Sequence, residues 1–186
     1  MKKRFWIAPV MALAVVCTLL LSACGGPSVE ELIREDITKA MGEITPDDEE
    51  LLDAMEASSD GGFDQLGIDT KDFATAYLDG FDHEIKSVTV DEEAGTAEAV
   101  VTVKMKSLSA IMSNFMTEFQ AYVDGIDPTT VGSEEELYMK AGEILMESVR
   151  SAEPSETDCT FEYEKDDEGG WSATEGTENA ILDAMA

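Results

Sequence analysis

Phe81-Asp-His-Glu-Ile-Lys-Ser-Val-Thr-Val90, then Asp91-Glu-Glu-Ala-Gly95, then Thr96-Ala-Glu-Ala-Val-Val-Thr-Val-Lys-Met-Lys-Ser107 is the stretch that decides the fold. On both sides of it apolar residues recur at steps of three and four, but here they alternate. Ala97, Ala99, Val101, Val103 and Met105 share one parity, while Glu98, Thr102 and Lys104 take the other. That alternation describes a strand with one buried and one wet face. Phe81 to Val90 reads as its partner, joined by an acidic turn that closes on glycine, so the pair is an antiparallel hairpin. Phe81, His83 and Ile85 are out of phase with Val88 and Val90. A bulge near Lys86-Ser87 brings all five onto one face. Val88 to Val103 also contains aggregation-prone windows, for which Lys104, Lys106 and the nearby acids read as gatekeepers.

Upstream the pattern is helical. Ser28-Val29-Glu30-Glu31 has the spacing of a capping box, and Val29, Leu32, Ile33, Ile37, Ala40, Met41 and Ile44 follow along one face. Thr45-Pro46-Asp47-Asp48 predicts a second start, with Thr45 as cap and Pro46 in the first turn. That helix runs to about Ala57 on Leu51, Leu52 and Met55, and Ser58 to Gly62 ends it. Asp69 caps a short third helix through Phe73, Ala76, Tyr77 and Leu78, with Gly80 as a left-handed stop.

Downstream, Leu108 to Val123 is the most apolar helix after the N-terminal segment. Ser133 caps another that runs to Ser151 and stops at Glu153-Pro154. Cys159, Phe161 and Tyr163 alternate with acids and threonine, and Asp166 to Gly170 turns the chain into Trp171-Ser172-Ala173, a second hairpin. Thr177 or Asn179 caps a last helix that returns Ile181, Leu182 and Met185 to the core. The order of elements predicts an α+β fold: a curved antiparallel sheet of two hairpins with helices on one face.

The first two dozen residues belong to a different physical problem. Lys2, Lys3 and Arg4 precede a nearly all-apolar run from Ile7 to Leu21, and small residues follow, the order of a secretory signal. A membrane-spanning helix needs about 20 apolar residues, so a retained anchor falls at the short limit. An ordinary cut after Ala23 would leave Cys24 as an N-terminal thiol. Leu21-Ser22-Ala23-Cys24 resembles a bacterial lipobox. The resemblance implies recognition of Leu21, Ser22 and Ala23 by lipoprotein-processing enzymes, diacylglycerol on the Cys24 sulfur, and cleavage before Cys24. It places the mature chain outside the cytoplasm, on the outer-membrane side if there is an outer membrane, because Gly25 stands where an inner-membrane retention aspartate would. The division that follows is a signal at 1–23, a lipidated cysteine with its tether at 24–27, and one domain over 28–186.

The chain carries 12 Lys and Arg against 41 Asp and Glu, a net charge of −29. Losing the three basic residues of the signal takes this to −32. Such a chain repels nucleic acid, whose binding draws on basic residues at phosphates. Of the three cysteines, Cys17 lies in the signal and Cys24 is the lipid acceptor. Cys159 is thus left without a disulfide partner and reads as a small buried hydrophobe.

The lipobox, short tether, amphipathic helices, Phe81–Met105 hairpin, Phe161-Glu162-Tyr163, Gly170-Trp171 and terminal Asn179-Ala180-Ile181-Leu182 together resemble small bacterial lipoproteins of unknown function. The resemblance implies a cone-shaped domain of the nuclear-transport-factor-2-like or cystatin-like kind.

Catalytic signals are sparse. His83 is the lone histidine, so a triad or a histidine-bearing zinc site would have to use it. The acidic runs 47–50, 91–93, 134–136 and 166–168 lack calcium-loop spacing. Two of them begin helices and two sit in hairpin turns, where acids favour the dipole or hydrate. No phosphate loop, nucleotide motif, metal set or cofactor motif appears. Met105, Met112, Phe115, Met116, Phe119 and Tyr122 form the candidate lining of an apolar pocket, methionine being adaptable to varied shapes. The expected function is a non-enzymatic binding module for an apolar small molecule, a peptide or an envelope protein. The alternatives are an enzyme of small substrates using His83, Tyr77 or an acid, and a passive envelope spacer.

Overall fold

The computed structural model describes residues 27–126 and 133–185. In chain order these form α1 (Val29–Glu43), α2 (Glu49–Ser59), α3 (Gly62–Leu66), α4 (Thr70–Tyr77), β1 (Asp82–Asp91), β2 (Thr96–Met105), α5 (Leu108–Gly125), α6 (Glu134–Ser151), β3 (Ser155–Lys165), β4 (Trp171–Ala173) and α7 (Glu175–Met185). The class is α+β. The elements gather into two compact units: a sheet unit of α1, β1 to β4 and α7, and a helical unit of α2 to α6. The signal, Cys24 and the first tether residues lie outside the described residues.

In the sheet unit the four strands are antiparallel in the order β1-β2-β3-β4. Ile85 pairs with Val101 and Ser87 with Val100, so Lys86 is bulged out, and both Ile85 and Val88 reach the covered face as the parity shift requires. On that face Ala97, Ala99 and Val101 of β2 pair with Tyr163, Phe161 and Cys159 of β3, and all six are buried. Helix α1 packs on β1 and α7 on β3. Ile33, Ile37 and Met41 from α1 and Ile181 from α7 close the core, each worth about 1.5–3 kcal/mol when fully buried. The opposite face is polar, with Thr102 hydrogen-bonded to Asp158 across the strands.

The helix starts follow local hydrogen bonding. Glu31 donates its N–H to the Ser28 hydroxyl at 3.2 Å, and the Glu31 carboxylate accepts the Ser28 N–H at 2.8 Å, so the capping box predicted for α1 is complete. Asp69 caps α4 through the Asp72 N–H, and Gly80 adopts φ +83°. Helix α2 begins later than Thr45-Pro46 suggests. The Asp48 N–H is drawn into a turn by the Thr45 carbonyl, and the Asp48 carboxylate then accepts the Leu51 N–H at 2.7 Å, so Asp48 is the cap.

Helix α7 also departs from expectation, beginning at Glu175 rather than after Thr177 or Asn179. The short β4 ends at Ala173, and Thr177 then takes over its pairing. Its hydroxyl accepts the Glu162 N–H at 2.8 Å and donates to the Glu162 carbonyl at 2.9 Å. The Thr174 N–H also donates to that carbonyl, at 2.8 Å, so backbone and side chain together complete the ladder at Glu162. Ile181 is buried as predicted, whereas Leu182 is 45 % exposed.

In the helical unit α5 and α6 run antiparallel, with Asn114 bonded to Ser148 and Lys140 lying 5.8 Å from the Tyr122 ring. Helix α3, absent from the sequence reading, presses its C-terminal carbonyl on α6 at Gly142. Lys106 is a structural residue, not the surface gatekeeper its place in the sequence suggests. It is 1 % exposed, and its ammonium donates to the carbonyls of Ala76 at 2.8 Å and Val149 at 3.0 Å. Those carbonyls belong to the last turns of α4 and α6, where unpaired acceptors and the negative dipole ends favour a cation.

Candidate functional site

The N-terminal feature is built from Cys24 outward. Pro27 and Ser28 open the described chain, and α1 is docked on the sheet from its second turn. Four residues from Cys24 to Ser28 reach at most about 14 Å at 3.3–3.6 Å each. A lipid on Cys24 would hold the sheet unit close to its bilayer.

Of the candidate pocket residues, Met105 is buried on the covered face of the sheet unit. The other five follow one another along α5, where Phe115 stacks on Phe119 at 5.6 Å and Phe119 on Tyr122 at 6.5 Å. These rings are half-buried, while Met112 and Met116 are 46 % and 59 % exposed. The α5 residues therefore form an open apolar face and not the wall of an enclosed cavity.

His83 is half-buried on β1 opposite Val103. Tyr77 lies in the helical unit, stacked on Phe73 at 6.2 Å, with its hydroxyl buried and unbonded. Burial pushes its phenol up to about 12, which suppresses the ionised form. Cys159 is 3 % exposed with its thiol directed at the Ala180 carbonyl, 3.4 Å away. Burial raises that thiol, and Asp158 and Asp183 add to the effect, the opposite of nucleophile activation.

The acidic runs have local duties. Asp91 accepts the N–H groups of Glu93 and Ala94, and Asp166 those of Glu168 and Gly170, so each organises its hairpin turn. Asp48 caps α2, and Glu134 to Glu136 occupy the first turn of α6. Among the described residues no group of three His, Cys, Asp or Glu is placed to hold a metal ion. No helix among them is long and apolar enough to cross a membrane.

One chemistry-bearing pair went unread in the sequence. Asp36 of α1 is 8 % exposed, and its Oδ2 accepts the Tyr163 hydroxyl at 3.1 Å while its Oδ1 is buried without a partner. Burial raises its carboxyl above the usual range, against the Tyr163 bond and Lys39, with Glu43 adding to the rise. The signal was available: three residues after Ile33 and one before Ile37, Asp36 falls inside the apolar arc of α1.

No family model matches the chain, and no curated protein matches it. Among solved structures, a crystal structure from Bacillus subtilis subsp. subtilis str. 168 of a "putative lipoprotein (ycdA)" is similar at a TM-score of 0.40 and 17 % identity. The similarity covers 71 % of this chain and 44 % of that one, so this chain spans less than half the length of that protein. A likeness of that size fixes neither fold nor function.

Proposed function

We propose that the protein is a lipid-anchored extracytoplasmic lipoprotein that acts by binding, holding an apolar small molecule, a peptide or an envelope protein at the membrane surface. The observation that carries this reading is the run of basic start, apolar segment and Leu21-Ser22-Ala23-Cys24, followed after three residues by the capped start of α1. Two acyl chains on Cys24 give stable anchoring, at about 0.8 kcal/mol per buried CH₂. The open Met and Phe face of α5 supports binding. The buried phenol of Tyr77 and the buried thiol of Cys159 speak against nucleophilic or acid–base work by those residues. The cone-shaped, nuclear-transport-factor-2-like or cystatin-like form rests on the sequence resemblance.

Cys24→Ala tests the anchor. Lipid labelling and membrane retention of the processed protein should both be lost, whereas retention unchanged from wild type would show a signal anchor instead. Native mass spectrometry of the purified protein then looks for a co-purified apolar ligand.

A further inference from the structure

Helix α5 is eighteen residues long and has one fully buried member, Ile111. Met112, Met116, Phe119 and Val123 follow at steps of four, three and four, which places them in one line along the helix. Met112, Met116 and Val123 are 46 %, 59 % and 40 % exposed. The line is flanked by exposed but uncharged Ser109, Ser113 and Gln120. The ionisable groups of α5 are Glu118, Asp124 and the Tyr122 phenol, and it has no basic residue, in a chain that is 28 % charged. Charge is thus kept off the line: Glu118 and Asp124 lie further round the helix, and Lys140 of α6, beside the Tyr122 ring, is paired with Glu143 at 2.8 Å.

We propose that this face docks an amphipathic helix with an apolar stripe flanked by Lys and Arg, supplied by another protein. The proposal rests on the binding-module reading and names its surface and partner. Apolar anchors at three- and four-residue spacing are the requirement for one helix lying on another, and methionine adapts to varied side chains. Charge chooses the occupant. A second copy, or an anionic bilayer, would set negative charge against a chain of net −29, whereas a cationic helix satisfies the apolar line and the acid excess of the chain together.

The test uses the full-length lipoprotein in phosphatidylcholine nanodiscs and a fluorescent peptide the length of α5, built from Leu and Lys so that a helix segregates them. A peptide of the same composition in scrambled order is the control. At physiological ionic strength the amphipathic peptide should bind at least roughly tenfold more tightly than the scrambled one. Met112→Ser combined with Met116→Ser should erase that difference while leaving the unfolding temperature unchanged, both side chains being exposed. Equal binding of the two peptides would overturn the proposal, as would a difference that survives in the double variant. A concentration-dependent dimer abolished by the double variant would assign the face to a second copy, and wild-type binding that appears only outside the nanodisc would assign it to lipid. Should Cys24 prove unlipidated and the signal be removed, the protein will not enter nanodiscs, and the same titration on the disc-free protein still decides the α5 proposal; a retained signal anchor would enter them and leaves the test as it stands.

Discussion

Replacing Gly142 with alanine sets two effects of opposite sign against each other. Inside a helix, alanine is better than glycine by about 0.8–1.0 kcal/mol, so propensity alone predicts a stabilised α6. The packing predicts the reverse. A Cβ at Gly142 would stand 2.0 Å from the Leu66 carbonyl oxygen and 2.9 Å from its carbon. A carbon–oxygen contact settles at about 3.3–3.6 Å, so α3 must withdraw by more than an ångström. The obstructing atoms are backbone, which no rotamer change can move aside. Overpacking of this kind costs about 1–3 kcal/mol, and the upper end applies here. The net expectation is a loss of about 2 kcal/mol, or a fall of about 4–8 °C in Tm at this chain length. Gly42→Ala in α1 is the control. Nothing lies within 4 Å of its Cβ position, so it should gain part of the propensity term. Thermal unfolding by circular dichroism measures both, and hydrogen exchange of the α3 and α6 amides locates the effect. A Gly142→Ala protein as stable as wild type would refute the close approach of α3 to α6.

Lys106→Met removes two charge-assisted bonds, each worth about 1.5–3 kcal/mol, and should lower stability in urea unfolding by about 3 kcal/mol; an unchanged midpoint would refute the capping role. For Asp36 the native carboxyl is raised above its unfolded value of 3.8, so the native state binds this proton more readily. Its contribution is full below that value and is lost as pH rises through the native one. Asp36→Asn should therefore raise Tm at neutral pH and flatten the pH dependence just above 3.8, and a lower Tm at neutral pH would contradict this. Thr177→Val should cost about 1–3 kcal/mol by leaving the Glu162 N–H unpaired; hydrogen exchange at Glu162 reports the loss directly.

Periodicity carried most of the fold. The switch from helical spacing to alternation at Phe81 located the first hairpin, and the parity conflict between Ile85 and Val88 located its bulge, because a one-residue slip sends side chains to the wrong face. What escaped the sequence depended on tertiary partners. Helix α3 has five residues, too few to display a period. Thr177 resembles a cap because threonine often is one, and only the end of β4 beside Glu162 gives its hydroxyl other work. Lys106 continues the alternation of Lys104, but β2 has already ended at Met105. For the candidate site, the spacing on α5 was legible, whereas its openness was not. Periodicity finds an apolar arc without saying how much of it a neighbouring helix covers.

Among the described residues each unit contains one buried charged side chain, and the two differ in how they are compensated. Lys106 gives its ammonium to two carbonyls at the negative ends of α4 and α6, so its desolvation is offset by acceptors that would otherwise be unpaired. Asp36 receives one hydroxyl and leaves one oxygen bare. A buried donor or acceptor without a partner costs about 1–3 kcal/mol, and more when charged. The same physical rule therefore requires opposite outcomes from neutralising the two groups, loss at Lys106 and gain at Asp36. Exposed ion pairs such as Lys71–Asp47 and Lys86–Glu84 contribute little, so the acid excess does not hold the fold together. Its visible work is local, in caps and turns, and under the α5 proposal the rest of the excess would favour cationic partners.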